Sequence, residues 1–258
     1  MNTLLQLVMP ALVIPMLLSF GAFYLGQRHR AVLWSLSAIW LPSYVWLNGW
    51  PQLPSREAND WLWLVALVST LTAALLRQRK YGVAAQIALL AAALSALVWP
   101  LRHLIDATMA AELLAALTAG SLSFYRPAVR TTVPALGLAV SASGLGLVSS
   151  LGGSLLIGQL AVALAAVLSA FALAELLSRG RWRGMGAVFL MPLLQLYFLL
   201  LMIARIYADL AIGPAALLLV APLVGLLTPH RYGVLGSTAS TSAALAWLLV
   251  TADSSSYY

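Results

Sequence analysis

"RQRKYG", residues 77–82, sets three positive charges into a chain that is otherwise almost all hydrocarbon. A near copy, "HRYG", stands at 230–233, and smaller basic knots occur as "QRHR" (27–30), "YRPAVR" (125–130) and "RGRWRG" (179–184). These five knots recur about every fifty residues, with apolar sequence between them. That rhythm is the length of one membrane hairpin, two crossings and two short turns, and it decides the architecture.

Composition supports the same conclusion. Of 258 residues 62% are hydrophobic and 8% charged, and the mean hydropathy is +0.95. Soluble domains carry about 25% charged residues, so a water-soluble fold is excluded. Ten apolar spans can be read, at 3–25, 31–50, 61–76, 83–101, 105–125, 131–150, 155–177, 185–208, 210–228 and 232–250. Lipid offers no partner to a backbone amide and the spans are too long for barrel strands, so each is expected to be a helix. The expected fold is therefore an all-α polytopic bundle of about ten transmembrane helices. An odd number of crossings per half would make five-helix halves at 1–127 and 128–250 inverted repeats, with 251–258 a short polar tail. The first run, 4–25, lacks a basic leader and a small-x-small cleavage site, so a retained helix is favoured over a signal peptide.

Alternate loops then separate by charge. Arg28, Arg30, Arg77, Arg79, Lys80, Arg126, Arg130, Arg179, Arg181, Arg183 and Arg231 fall on one side; only Arg56, Arg102 and Arg205 fall on the other. The positive-inside rule makes the first side cytoplasmic and puts both termini outside, in a bacterial-type cytoplasmic membrane. Glu57, Asp60, Asp106, Asp209 and Asp253 share the outer side, and Trp46, Trp50, Trp61, Trp63 and Trp99 gather at that edge. A net charge of +7, spread through short loops, suits anionic lipid headgroups on the cytoplasmic side and not nucleic acid.

Ionisable groups at membrane depth are costly and mark candidate sites. Glu112, in "TMAAELLAAL" (108–117), lies about two turns from the outer end of the fifth span, with Thr108 four residues earlier on its face. Arg205 and Asp209, in "MIARIYADL" (202–210), end the eighth span at the same level. One expectation is a Glu112–Arg205 pair or shared vestibule with Asp106 and Asp209 at its mouth. The competing one has Arg205 reaching out to Asp209 while Glu112 bonds to Thr108. Gln195, about 15 Å deeper than Arg205 on the same span, is a further pathway candidate. Pro10 and Pro15 in the first span, and Pro134 and Gly144 in the sixth, are candidate helix breaks at matching positions of the two halves. The small residues of "GLAVSASGLGL" (137–147) and "GSTASTSAALAW" (236–247) read as close helix contacts.

Other chemistries find little support. There is no cysteine, and His29, His103 and His230 lie on different loops, so neither a metal site nor a cofactor is expected. No HExxH, GxxxxGK or GxSxG occurs. The favoured function is a small secondary permease for a modest solute or lipid-like molecule. The alternative is a non-catalytic scaffold that joins a second copy or a membrane complex, and a lipid-modifying enzyme ranks third. Because the chain has no cysteine, single cysteines placed at 79 and 181 should both react with an impermeant thiol reagent from the cytoplasmic face. Labelling from opposite faces would break the topology.

Overall fold

The computed structural model describes residues 9–26, 39–51, 59–76, 82–104, 106–125, 132–177, 186–227 and 230–255. Every element formed by them is helical, with no strand among the described residues. A π-helical turn, Met9–Val13, leads into α1 (Ile14–Gly26). Then follow α2 (Trp40–Asn48), α3 (Asp60–Leu76) and α4 (Gly82–Val98), which tightens into a 3-10 turn at Trp99–Leu104. The remainder are α5 (Ala107–Tyr125), α6 (Thr132–Leu151), α7 (Leu155–Leu177), α8 (Gly186–Tyr207), α9 (Ile212–Leu227) and α10 (His230–Ser255).

Each of the ten spans read from the sequence holds one of these helices. Five stretches are long and apolar enough to cross a membrane: Gly82–His103, Ala107–Phe124, Leu155–Leu177, Leu190–Tyr207 and Tyr232–Thr251. The outer surface agrees with membrane integration: Leu17, Leu71, Leu114, Leu147 and Leu235 are all exposed, which a soluble protein would avoid on this scale. Of the eleven basic residues that set the topology, ten lie outside the described residues; Arg231 is the second residue of α10.

The helices α7 and α8 form the centre. The membrane-length windows of these two are 72% and 78% buried, against 17% for the window in α10, which rides on the outside. Helix α7 packs against α1, α2, α6 and α8, and α8 against α3, α4, α5, α6, α7 and α9. Alanines at 161, 163, 166, 170 and 172 let neighbours come close to α7, which is how membrane helices associate when hydrocarbon burial gives them no advantage. The α6–α7 contact shows the principle at its tightest. A Cβ on Gly158 would stand 2.7 Å from the Gly146 carbonyl oxygen, and only glycine fits there.

Polar groups inside this bundle tie helix to helix. Pro222, within α9, has no N–H to give to the Leu218 carbonyl four residues before it. The fully buried Tyr197 of α8 donates its hydroxyl to that carbonyl at 2.6 Å. Trp40 Nε1 donates to Leu160 O at 3.0 Å, joining α2 to α7. Tyr207 donates to Leu97 O at 2.8 Å, joining α8 to α4 just before Pro100.

Two sequence expectations change, both in the sixth span. Helix α6 runs unbroken over Thr132–Leu151. Pro134 sits in its first turn, where a missing N–H costs nothing. Gly144 is a packing position, because a Cβ there would collide with the Thr241 methyl of α10. The sixth span therefore carries no break, while the first does change geometry, with Pro10 inside the π turn and Pro15 just past it. Residues 251–255 continue α10, where Thr251 Oγ donates to Trp247 O at 2.9 Å.

If Tyr197 answers the carbonyl freed by Pro222, Tyr197→Phe should lower unfolding stability by about 1–3 kcal/mol. Adding Pro222→Ala, which restores the N–H, should recover much of that loss in detergent-solubilised protein. Equal losses in both backgrounds would refute the pairing.

Candidate functional site

The site forms where three helix ends meet: the start of α5, the end of α8 and the start of α9. On α5 the positions 108, 111, 112 and 115 share one face by helical spacing, and on α9 so do 212, 215, 216 and 219. Together with Leu201, Met202 and Arg205 of α8 they line a cleft of about 270 Å³. Its walls are hydrocarbon apart from Thr108, Glu112 and Arg205.

Glu112 and Arg205 meet in it. Arg205 Nε donates to Oε2 at 3.0 Å and to Oε1 at 3.2 Å, and Nη2 donates to Oε1 at 3.1 Å. This is a side-on, two-pronged pair, and both side chains are mostly withdrawn, at 24% and 21% exposure. Two-pronged geometry adds direction as well as strength to an ion pair. Its location follows from the chain: Glu112 is the sixth residue of α5 and Arg205 the third from the end of α8, so antiparallel helices bring them level.

The other candidates separate. Asp209 does not hold Arg205. Helix α8 ends at Tyr207 and Asp209 enters the following turn with φ of +50°, so the i,i+4 relation on which that contact depended is lost. Asp106 caps α5, its Oδ1 accepting from the Met109 N–H at 2.7 Å, which fixes the helix start from which Glu112 projects. Thr108 lines the cleft, exposed, one turn before Glu112 on the same face. Gln195 is outside the cleft. Fully buried, it donates through Nε2 to Gln86 O at 2.7 Å, and Gln86 in turn exchanges hydrogen bonds with Ser69, so the amides tie α8, α4 and α3 together. Glu175 is buried on α7, and Arg179, four residues on, lies outside the described residues. Among the described residues no three His, Asp or Glu side chains gather as metal ligands.

Two features escaped sequence reasoning. Tyr44 and Asn48, one turn apart on α2, form a chain to the buried Asp60 at the start of α3: Asn48 Nδ2 donates to Tyr44 Oη at 2.7 Å, and Tyr44 donates to Asp60 Oδ1 at 3.3 Å. The i,i+4 polar pair in α2 was the available signal. Arg102 stacks on Trp99, its Cζ 4.7 Å from the ring centroid, at the end of the 3-10 turn.

No protein-family model matches this chain, and it has no significant match among curated proteins or solved structures. The class defined by fold and site is an all-helical, membrane-type bundle with a charged pair in an apolar cleft.

Thr108→Cys and Ala115→Cys, both on the cleft wall, should react with a water-soluble thiol reagent. Ala163→Cys, buried in α7, should not. Equal protection at all three positions would mean that water does not enter the cleft.

Proposed function

We propose that the protein is a small secondary permease, crossing a bacterial-type cytoplasmic membrane ten times with both termini outside, and that the Glu112–Arg205 cleft is its substrate site. The observation that carries this reading is a two-pronged ion pair in the wall of a cleft large enough for a small molecule. Ionisable residues at membrane depth that face a cavity are characteristic of substrate and ion pathways.

The chemistry of the pair selects a substrate. A guanidinium has five N–H donors. The pair uses the Nε–H and one Nη2–H, which leaves both N–H groups of Nη1 and the second of Nη2. Oε1 already accepts twice and Oε2 once. What remains for a ligand is mostly donor, so a carboxylate or similar anion fits, with a small apolar body against Ala111, Ala115, Ala216 and Leu219.

Charge balance supplies the coupling. The pair is neutral, and an added anion would leave a net negative charge in a low-dielectric cleft, which is costly. Protonation of Glu112 cancels it and releases Arg205 to the substrate. One proton then travels with one anion, and the exchange is electroneutral. Besides the pair itself, the titratable and charged groups near it are Asp106 before α5, Tyr197 and Tyr207 on α8, Asp209 after it, and Arg102 and His103 beyond α4; α9 contributes none. No GxxxxGK occurs in this chain, so the driving energy is assigned to a gradient or to a separate ATPase.

A non-transporting membrane subunit is the second reading. It is favoured by the long, mostly exposed α10, which offers a face to a second copy or another membrane protein. A lipid-modifying enzyme is least supported, because the sequence carries no HExxH or GxSxG and no metal-ligand cluster forms among the described residues.

Proteoliposomes with an imposed inward proton gradient separate the two main readings. The wild type should accumulate radiolabelled 2-oxoisovalerate, a small apolar monoanion, and Glu112→Gln should abolish gradient-driven uptake while remaining folded. Uptake no faster than in protein-free vesicles, or unchanged in Glu112→Gln, would remove the cleft from transport.

A further inference from the structure

A second groove lies beside the cleft, between α4 and α5, with a volume of about 470 Å³. One wall is a stripe of α4 continued into the 3-10 turn: Ala91, Leu94, Ser95, Val98, Trp99 and Arg102. The other wall is Leu113, Leu114 and Leu117 of α5. From 91 to 102 the stripe runs about 16 Å at helical rise, the length of a substantial part of an acyl chain.

The apolar trough ends at a cation. Arg102 is exposed, and its guanidinium carbon lies over the Trp99 ring, which is itself 67% exposed. Stacking occupies the face of the guanidinium and leaves its N–H edge free for an oxyanion. No ion pair to Arg102 is found among the described residues; Asp106, four residues on, turns its Oδ1 to the α5 cap. An arginine on an aromatic ring at the end of a membrane-length helix stands at headgroup level. The uncompensated charge sits where a lipid phosphate would lie, directly above a groove that fits its chain.

We propose that the α4–α5 groove is a binding site for an anionic phospholipid of the leaflet at the Arg102 end, with the phosphate on Arg102 and one acyl chain along the Leu94–Leu117 trough. The lipid would be bound at the side of the helices that carry the Glu112–Arg205 cleft, so its presence bears on the packing of α4 against α5. This site does not depend on whether the cleft transports anything.

The test is native mass spectrometry of the full chain released from detergent with equal amounts of phosphatidylglycerol and phosphatidylcholine of identical chains. Wild-type protein should retain one phosphatidylglycerol about fivefold over phosphatidylcholine, the preference expected of one arginine at a membrane surface. Arg102→Gln, an exposed position, should erase the preference without altering the circular dichroism spectrum. Ser95→Trp, which fills the trough, should lower retention of both lipids. Equal retention of the two lipids by the wild type, or an undiminished preference in Arg102→Gln, would overturn the proposal.

Discussion

Hydrocarbon offers no hydrogen-bond partner and no screening for charge, and this one constraint shapes the protein from end to end. Backbone groups answer it by closing into helices. Where a proline leaves a carbonyl open, another helix must supply the donor, as Tyr197 does for Leu218. Side-chain amides obey the same demand, so Gln86, Gln195 and Ser69 form one connected set across three helices. The Glu112–Arg205 pair is its most exacting instance. Two groups of opposite charge, both mostly withdrawn from water, lie within hydrogen-bond distance of each other.

The placement of the pair is what makes it a candidate site. Had it formed deep between α7 and α8, where almost every residue is buried, it would be a tie and nothing more. It forms instead where α5, α8 and α9 begin or end, and the alanines on α5 and α9 leave room beside it. Tightness elsewhere makes that room possible. The glycine contacts between α6 and α7 and between α6 and α10 hold one flank of the bundle closed, while the flank formed by α4, α5 and α9 keeps its clefts.

Much of this was legible in the sequence because membrane physics acts on short, countable features. Basic knots and run lengths placed the helices to within a few residues for most spans, and antiparallel order brought Glu112 level with Arg205. What stayed hidden depends on tertiary neighbours. A glycine within a helix reads equally as a break or a close approach; only Thr241 beside it makes Gly144 the latter. The Arg205–Asp209 alternative failed because the helix stops between them, and helix ends are read from sequence only to within a turn. Gln195 looked like a pathway residue since depth was visible and its partner, a backbone carbonyl on another helix, was not. Asp106 was given a place at the mouth of the site, whereas its position just before α5 suits it to cap the helix.

The central claim is that Glu112 and Arg205 are charge partners across α5 and α8, and a charge swap addresses it directly. Unfolding stability would be measured for Glu112→Arg, Arg205→Glu and the doubly exchanged protein. Each single reversal should cost about 2–4 kcal/mol by placing like charges together away from water, and the double exchange should recover most of the combined loss. Strictly additive losses, with no recovery in the double exchange, would show that the two residues do not interact and would contradict the account.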